Sequence, residues 1–405
     1  PAAVNPAAPA PITITSWVNF MPVPETKLAC EAAPVLCVAH PFARVETFHG
    51  FAENSLEKRQ SLSGILVTGA AGLIGGEVCA RLVRAGHKVT ALVHRNPEVR
   101  GNDGEIVPVA ETVRCDIRKQ RLGLDDATFE RLARDTDRVI HCAATIRFDL
   151  TDEEYSAVNT AGTANVVSLA QAGGAGMLHV STAYVCGNRN GPIMEGEPLP
   201  ESGFANGYEA SKAAGEALVC ASGLEWAIAR PAITLGEYAS GRIRQFDAIY
   251  VAFKLIAEGH IRLVPAASDA TLNFVPLDHV AGGIVALVRN WEAAKGKAFH
   301  LVASEPLPMA DFANGIGSVD GLCRPTLVDP DAFDPAALPP LERRLHGRVS
   351  ALYASYFQRD PRFDDARFRD ITGMASPPAD QHYLRRLIDF CIAEGFLPTA
   401  RALTD

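Results

Sequence analysis

Gly64-Ile65-Leu66-Val67-Thr68-Gly69-Ala70-Ala71-Gly72-Leu73-Ile74-Gly75 is an apolar run that breaks into spaced glycines. An apolar-periodic segment, Leu73 to Ala85, follows it. Strand, glycine turn, helix is the context that a dinucleotide-binding loop requires. Glycines there let the backbone approach a pyrophosphate, which sits at the helix N-terminus. Far down the chain, Tyr208-Glu209-Ala210-Ser211-Lys212 sets a phenol and an ammonium four residues apart, on one helix face. A nearby cation lowers a phenol's pKa and makes it a usable proton donor or acceptor. Together, in this order, the two motifs point to a hydride-transfer enzyme.

Outward from the glycine loop the pattern stays regular. Strand-like runs fall at 64–68, 88–94, 112–115, 138–142, 177–181 and 226–230, with helical segments at 73–86, 126–134, 152–172 and 208–222. Thr151 and Glu154 have the spacing of a capping box at the start of the third helix. Alternating strands and helices imply an α/β fold with a doubly wound parallel sheet, Rossmann-like, over residues 61–235. Beyond 235 the alternation fails. A helix at 246–258, a strand-like run at 271–276, a helix at 278–289, a Pro-rich stretch at 325–340 and an amphipathic helix at 380–394 follow. Residues 236–405 therefore read as a smaller, mostly helical substrate-binding domain, with room for segments that return to the sheet. Residues 1–60 begin with a Pro/Ala leader and contain apolar pieces at Ile12–Thr15, Val35–Ala39 and Val45–Phe51. They read as a linker or as an appended β element, and the sequence leaves both open.

Bulk properties narrow the class. Hydrophobic content of 48% and charged content of 21% over 405 residues suit a soluble globular chain. A net charge of −9 argues against a nucleic-acid surface. Nine cysteines are dispersed without a C-x-x-C pair, which points to reduced core thiols in the cytoplasm and to no metal site. No apolar run reaches the ~18 residues of a membrane span. The first residues lack the basic start of a signal peptide.

Several residues carry chemistry by position. The second strand ends in Arg95, where an NAD-binding fold commonly has an acid. An Arg there can meet a 2′-phosphate, so NADPH is expected in preference to NADH. Asp116 closes the third strand and is placed to accept from an adenine amino group. Ala143 and Ala144 let the backbone pass under a cofactor, and the neighbouring His141 reads as structural. Ser181 and Thr182 end the fifth strand, where ligands bind in such sheets. Cys186 has no adjacent base and reads as packing rather than as a nucleophile. Asn159, in the capped helix, is a candidate holder of a proton-relay water.

With those residues in view, 64 to about 290 resembles an extended short-chain dehydrogenase/reductase. More narrowly it resembles the thioester-reducing branch, which includes fatty acyl-CoA reductases and the reductase domains of carboxylic acid reductases. Val139 to Asp149, Val158 to Thr163, His179 to Val185, Phe204 to Lys212, Arg230-Pro231 and Asn273 to Val280 carry the likeness. Residues 1–60 lie outside it, and residues 291–405 share only a loose likeness to a final helical region. The resemblance implies a catalytic set of Thr182, Tyr208 and Lys212, Thr182 being the hydroxyl five residues before Gly187. It implies that Lys212 holds the nicotinamide ribose and depresses the Tyr208 pKa. It places Gly69, Gly72 and Gly75 at the pyrophosphate, with Ala71, Leu73 and Ile74 also binding the cofactor. Asp116, Ile117, Ala143, Ala144, Asn159, Tyr208, Lys212 and Pro231 would line the rest of the cofactor. The implied reaction is NADPH-dependent reduction of an acyl thioester, on coenzyme A or a carrier protein, to an aldehyde and in a second step to an alcohol. Rival readings are an epimerase, dehydratase or hydroxysteroid-type dehydrogenase of the same superfamily, and a non-catalytic cofactor-binding protein.

Overall fold

Seven short strands form one parallel sheet in a computed structural model, its central strands fully buried and its edge strand Glu111–Arg114 half exposed. The structure describes residues 64–398, apart from Phe148, Asp149 and Ser268. The expectations for residues 1–60, with Cys30 and Cys37, lie outside the described residues. The strands are β1 (Ile65–Thr68), β2 (Val89–Val93), β3 (Glu111–Arg114), β4 (Arg138–His141), β5 (Gly176–Val180), β6 (Trp226–Pro231) and β7 (Lys297–Leu301). Their spatial order is β7-β6-β5-β4-β1-β2-β3. The order reverses between β1 and β4, and a crevice for a ligand opens beyond the strand ends at such a switch point.

Strand periodicity explains the burial. Ile65 and Val67 of β1 pack into one hydrophobic cluster and Leu66 into another, on opposite faces of the sheet. Both faces are covered, so the strands read as continuous apolar runs. α2 (Asp126–Arg134) and α3 (Ala161–Gly173) pack against each other. Phe129 and Leu132 of α2 and Val166 and Leu169 of α3 share the cluster of Leu66. α1 (Leu73–Arg84) supplies Val78 and Leu82 to the other cluster. The segment with Tyr208 and Lys212 opens α4 (Gly207–Ala221).

The third helix is not continuous, as its pattern suggested. The capping box forms, with Glu154 N donating to Thr151 Oγ1 and Thr151 N to Glu154 Oε2. A helical turn at Asp152–Tyr155 then widens into a π-helical turn at Ser156–Thr160 before α3 begins. Such turns are frequent at functional sites, and this one presents Asn159.

Several segments cross the line drawn at residue 235. β7 pairs in parallel with β6, Lys297 opposite Ala227 through Leu301 opposite Pro231. After α5 (Ala248–Ala257), α6 (Leu277–Arg289) returns to pack beside α1. The strand-like run at 271–276 divides into Thr271–Leu272 and Phe274–Pro276, the second pairing with Ile233–Leu235. α7 (Met309–Gly317), α8 (Pro340–Phe357) and α9 (Ala366–Thr372) had no clear pattern in the sequence, whereas α10 (Gln381–Ala393) did. The Pro-rich stretch holds a short strand, Thr326–Val328, and two 3-10 turns.

Candidate active site

The glycine loop is shaped by backbone contact. Gly69 has φ +65°, and a Cβ there would lie 2.7 Å from Ala143 N, so the loop rests on the exit of β4. A Cβ on Gly75 would lie 2.3 Å from Gly69 O, which fixes how closely α1 approaches the loop. The N-cap of α1, Gly72, makes no side-chain cap, and the first turn carries no acid. Its N-terminal N–H groups are thus open to an anion, with the helix dipole in favour. These features fit a dinucleotide pyrophosphate, with Ala71, Leu73 and Ile74 half-buried around the turn.

A chain of hydrogen bonds beneath the loop has a defined direction. Thr163 Oγ1 donates to Asn159 O at 2.6 Å, so it accepts from His141 Nε2 at 3.1 Å. His141 Nδ1 is then the acceptor for Thr68 Oγ1 at 2.7 Å, and Thr68 Oγ1 accepts from Ala143 N at 3.1 Å. This assigns the neutral Nε2–H tautomer to His141, whose pKa burial pushes down to about 3. His141 is a structural brace that holds β1 to the β4 exit.

Asn159 is buried and largely committed to protein partners. Its Oδ1 accepts from Thr145 N at 2.8 Å, and its Nδ2 donates to Thr145 O at 3.2 Å and to Ser211 Oγ at 3.0 Å. It ties the loop after β4 to α4 and leaves one lone pair of Oδ1 for anything else. Bracing therefore takes precedence over the expected water-holding role.

Thr182 and Tyr208 meet. The Tyr208 phenol and the Thr182 side chain are hydrogen-bonded. Thr182 also caps the 3-10 turn Ala183–Cys186, accepting from Tyr184 N at 3.4 Å. Ser181 Oγ is buried without a partner, so Thr182 is the hydroxyl that faces the phenol. Asn206 caps α4 by accepting from Glu209 N at 2.9 Å, which fixes the first turn and with it Tyr208.

Lys212 is buried under the end of β5. Its ammonium, 2% exposed, donates to Val180 O at 2.7 Å and lies 3.4 Å from His179 Nε2. Burial lowers its pKa to about 8. It does not depress the phenol. Burial raises the Tyr208 pKa, Glu209 adds to the rise, and the bond to Thr182 opposes it. Tyr208 is accordingly a neutral phenol at ordinary pH, a state suited to donating a proton.

The remaining expected residues are distributed around the crevice. Asp116 is held bidentately by Arg118, at 2.9 and 2.7 Å, which brings its pKa to about 2. Ile117 is half-buried, its side chain close against Gly162. Pro231 ends β6 and is buried. Arg95 is exposed, and Arg114 Nη2 donates to its carbonyl at 3.2 Å, which brings a second guanidinium to the same edge. Cys186 is buried, and burial pushes its thiol up to about 11, a poor nucleophile.

Two arginines from beyond residue 235 were missed. Arg244 Nη2 lies 3.2 Å from Gly72 O and 3.5 Å from Ala71 O, while its Nε is buried without a partner. Arg359 reaches Glu209 and Gly187. Neither lies in a local motif, so the sequence held no signal for them.

The chain belongs to the male sterility protein family, whose sequence model matches residues 67–284 and whose members are NAD(P)-dependent reductases of the extended short-chain type. The fold is shared with the terminal R domain of the myxalamid PKS-NRPS biosynthetic pathway, with a TM-score of 0.73 and 25% identity. That match covers 84% of this chain and 92% of that one. The aldehyde reductase lnaA of Aspergillus flavus is 25% identical over 298 residues, 64% of this chain and 28% of that protein. The isonitrile lipopeptide synthase of Streptomyces coeruleorubidus is 24% identical over 378 residues, 82% of this chain and 25% of that protein. The chain thus spans about a quarter of the length of these two curated relatives.

Proposed function

We propose that this chain reduces an acyl thioester, carried on a phosphopantetheine arm, to an aldehyde with NADPH. The observation that carries the reading is the bond between Thr182 and the neutral Tyr208 phenol beyond the β5 end, beside a glycine cradle fit for a dinucleotide. The likeness to a terminal R domain and to a lipopeptide synthase favours a carrier-held thioester over a free alcohol or a nucleotide sugar.

The loop from Gly69 to Gly75 would hold the pyrophosphate, with Arg244 adding a cation over it. Arg95 and Arg114 form a basic edge for a 2′-phosphate, and this supports NADPH over NADH. The bound nicotinamide supplies hydride to the acyl carbon. Thr182 and Tyr208 hydrogen-bond the carbonyl oxygen and stabilise the charge it gains, a contribution of about 3–4 kcal/mol per donor. Tyr208 then gives its proton to that oxygen, and the hemithioacetal releases thiol and aldehyde. Lys212 keeps a positive charge beneath the site, anchored on Val180 O, and contributes to the field at the reacting oxygen. No protein nucleophile takes part, consistent with the buried, high-pKa thiol of Cys186.

The test is NADPH consumption with a panel of acyl-CoA and acyl-pantetheine thioesters, the aldehyde being trapped and NADH run in parallel. Thioester-dependent oxidation with aldehyde product is expected. NADPH binding without turnover on any thioester would refute the reading.

A further inference from the structure

One guanidinium ties together the two segments that carry Thr182 and Tyr208. Arg359 follows the end of α8, far from both in sequence. Its Nη1 donates to Gly187 O at 2.7 Å and to Glu209 Oε2 at 3.2 Å, and its Nη2 donates to Glu209 Oε1. Gly187 closes the 3-10 turn that Thr182 caps, and Glu209 follows Tyr208 in the first turn of α4. Arg359 is 5% exposed and Glu209 0%, so water offers neither a substitute partner. The guanidinium carbon also lies 5.1 Å from the ring centre of Tyr184 and 5.2 Å from that of Tyr356.

We propose that Arg359 is a positioning residue: through Gly187 and Glu209 it sets how Thr182 and Tyr208 converge on the carbonyl oxygen. The proposal rests on the reading of those two side chains as the oxygen's hydrogen-bond donors. Two donors serve one oxygen only if the elements carrying them keep a fixed separation. Helix α4 and the Thr182 turn are joined here by a planar fork whose donors reach both at once. Lysine is a single point of charge and does not reproduce that fork. The C-terminal region thereby becomes part of the catalytic apparatus, beyond any role in covering the substrate.

The test uses the full chain and three variants: R359K, E209Q and the charge-neutral double R359Q/E209Q. The double variant guards against a fold lost to a stranded buried charge. Thermal midpoint, NADPH dissociation constant, and kcat and KM on both an acyl thioester and an aldehyde are measured. In R359K and in the double variant, kcat per NADPH-binding site is expected to fall about 100-fold on either substrate, while KM and NADPH affinity stay within about threefold. E209Q keeps a neutral acceptor for the fork and is expected to lose about tenfold or less. A kcat per NADPH-binding site within about threefold of wild type in R359K or in the double variant overturns the proposal. Wild-type turnover of aldehydes without thioesters would remove the thioester reading and leave Arg359 to be judged on the aldehyde.

Discussion

Replacing Tyr208 by Phe removes one oxygen and separates stability from catalysis. In the folded protein the phenol is bonded to Thr182, and Thr182 keeps a second partner in Tyr184 N at 3.4 Å. A neutral hydrogen bond contributes about 0.5–1.5 kcal/mol net, and the Thr182 hydroxyl is not stranded, so the stability cost should be about 1 kcal/mol. The chemical step loses its proton donor, a factor of about 10²–10⁴, or roughly 3–5 kcal/mol. The rate effect should thus be several times the stability effect. The pyrophosphate would be held by the glycine loop and Arg244 rather than by the phenol, so NADPH affinity should hold within about threefold. The assay is kcat from the reduced-nicotinamide absorbance at saturating thioester, with NADPH binding followed by fluorescence and unfolding by calorimetry. A kcat within about threefold of wild type would refute the donor assignment. So would a fall in NADPH affinity that matches the fall in rate. Thr182→Val should show the same pattern, and the double variant should be far from additive, because both donors serve one oxygen.

Gly75→Ala puts a methyl 2.3 Å from Gly69 O, so the loop must shift; about 1–3 kcal/mol of stability and at least tenfold in NADPH affinity should be lost, read by calorimetry and titration. Arg244→Ala should weaken binding of ADP as well as of NADPH by about tenfold with thermal stability little changed, whereas equal affinities would remove it from the pyrophosphate. Arg95→Asp with Arg114→Ala should cut the preference for NADPH over NADH about tenfold or more, measured as the ratio of dissociation constants. The fourth case concerns Lys212, whose folded pKa is lowered by burial to about 8. Above that pH the unfolded chain binds the proton more tightly, so this group's contribution to stability rises with pH. Lys212→Met should therefore raise the melting temperature near neutral pH, and the gain should shrink as pH climbs past about 8. A gain that does not change with pH would show that burial does not depress this ammonium.

Local pattern was enough for the front half of the molecule. The run into Thr68-Gly69 and the periodicity from Leu73 to Arg84 specify a strand, a turn and a helix with no reference to anything distant. Thr182, Tyr208 and Lys212 were legible because each sits at a fixed offset in its own element. Asn159 was legible as a position but not as a role, because a π-helical turn is set by packing. The orientation of Lys212 toward Val180 was equally hidden, since residues four apart on a helix share a face without sharing a partner.

The sequence by itself determined the alternation of strands and helices, the glycine turn and the positions of Thr182 and Tyr208 in their elements, since these depend on backbone propensity and spacing within a few turns. Only the tertiary structure decided that β7 joins the sheet, that α6 covers α1, and that Arg244 and Arg359 reach the site. Those contacts join segments separated by 70 or more positions along the chain. Nothing local distinguishes a guanidinium bound for Glu209 from one bound for solvent. Its partner is chosen by where the helices pack, and that choice is made by the burial of the whole chain rather than by any stretch of it.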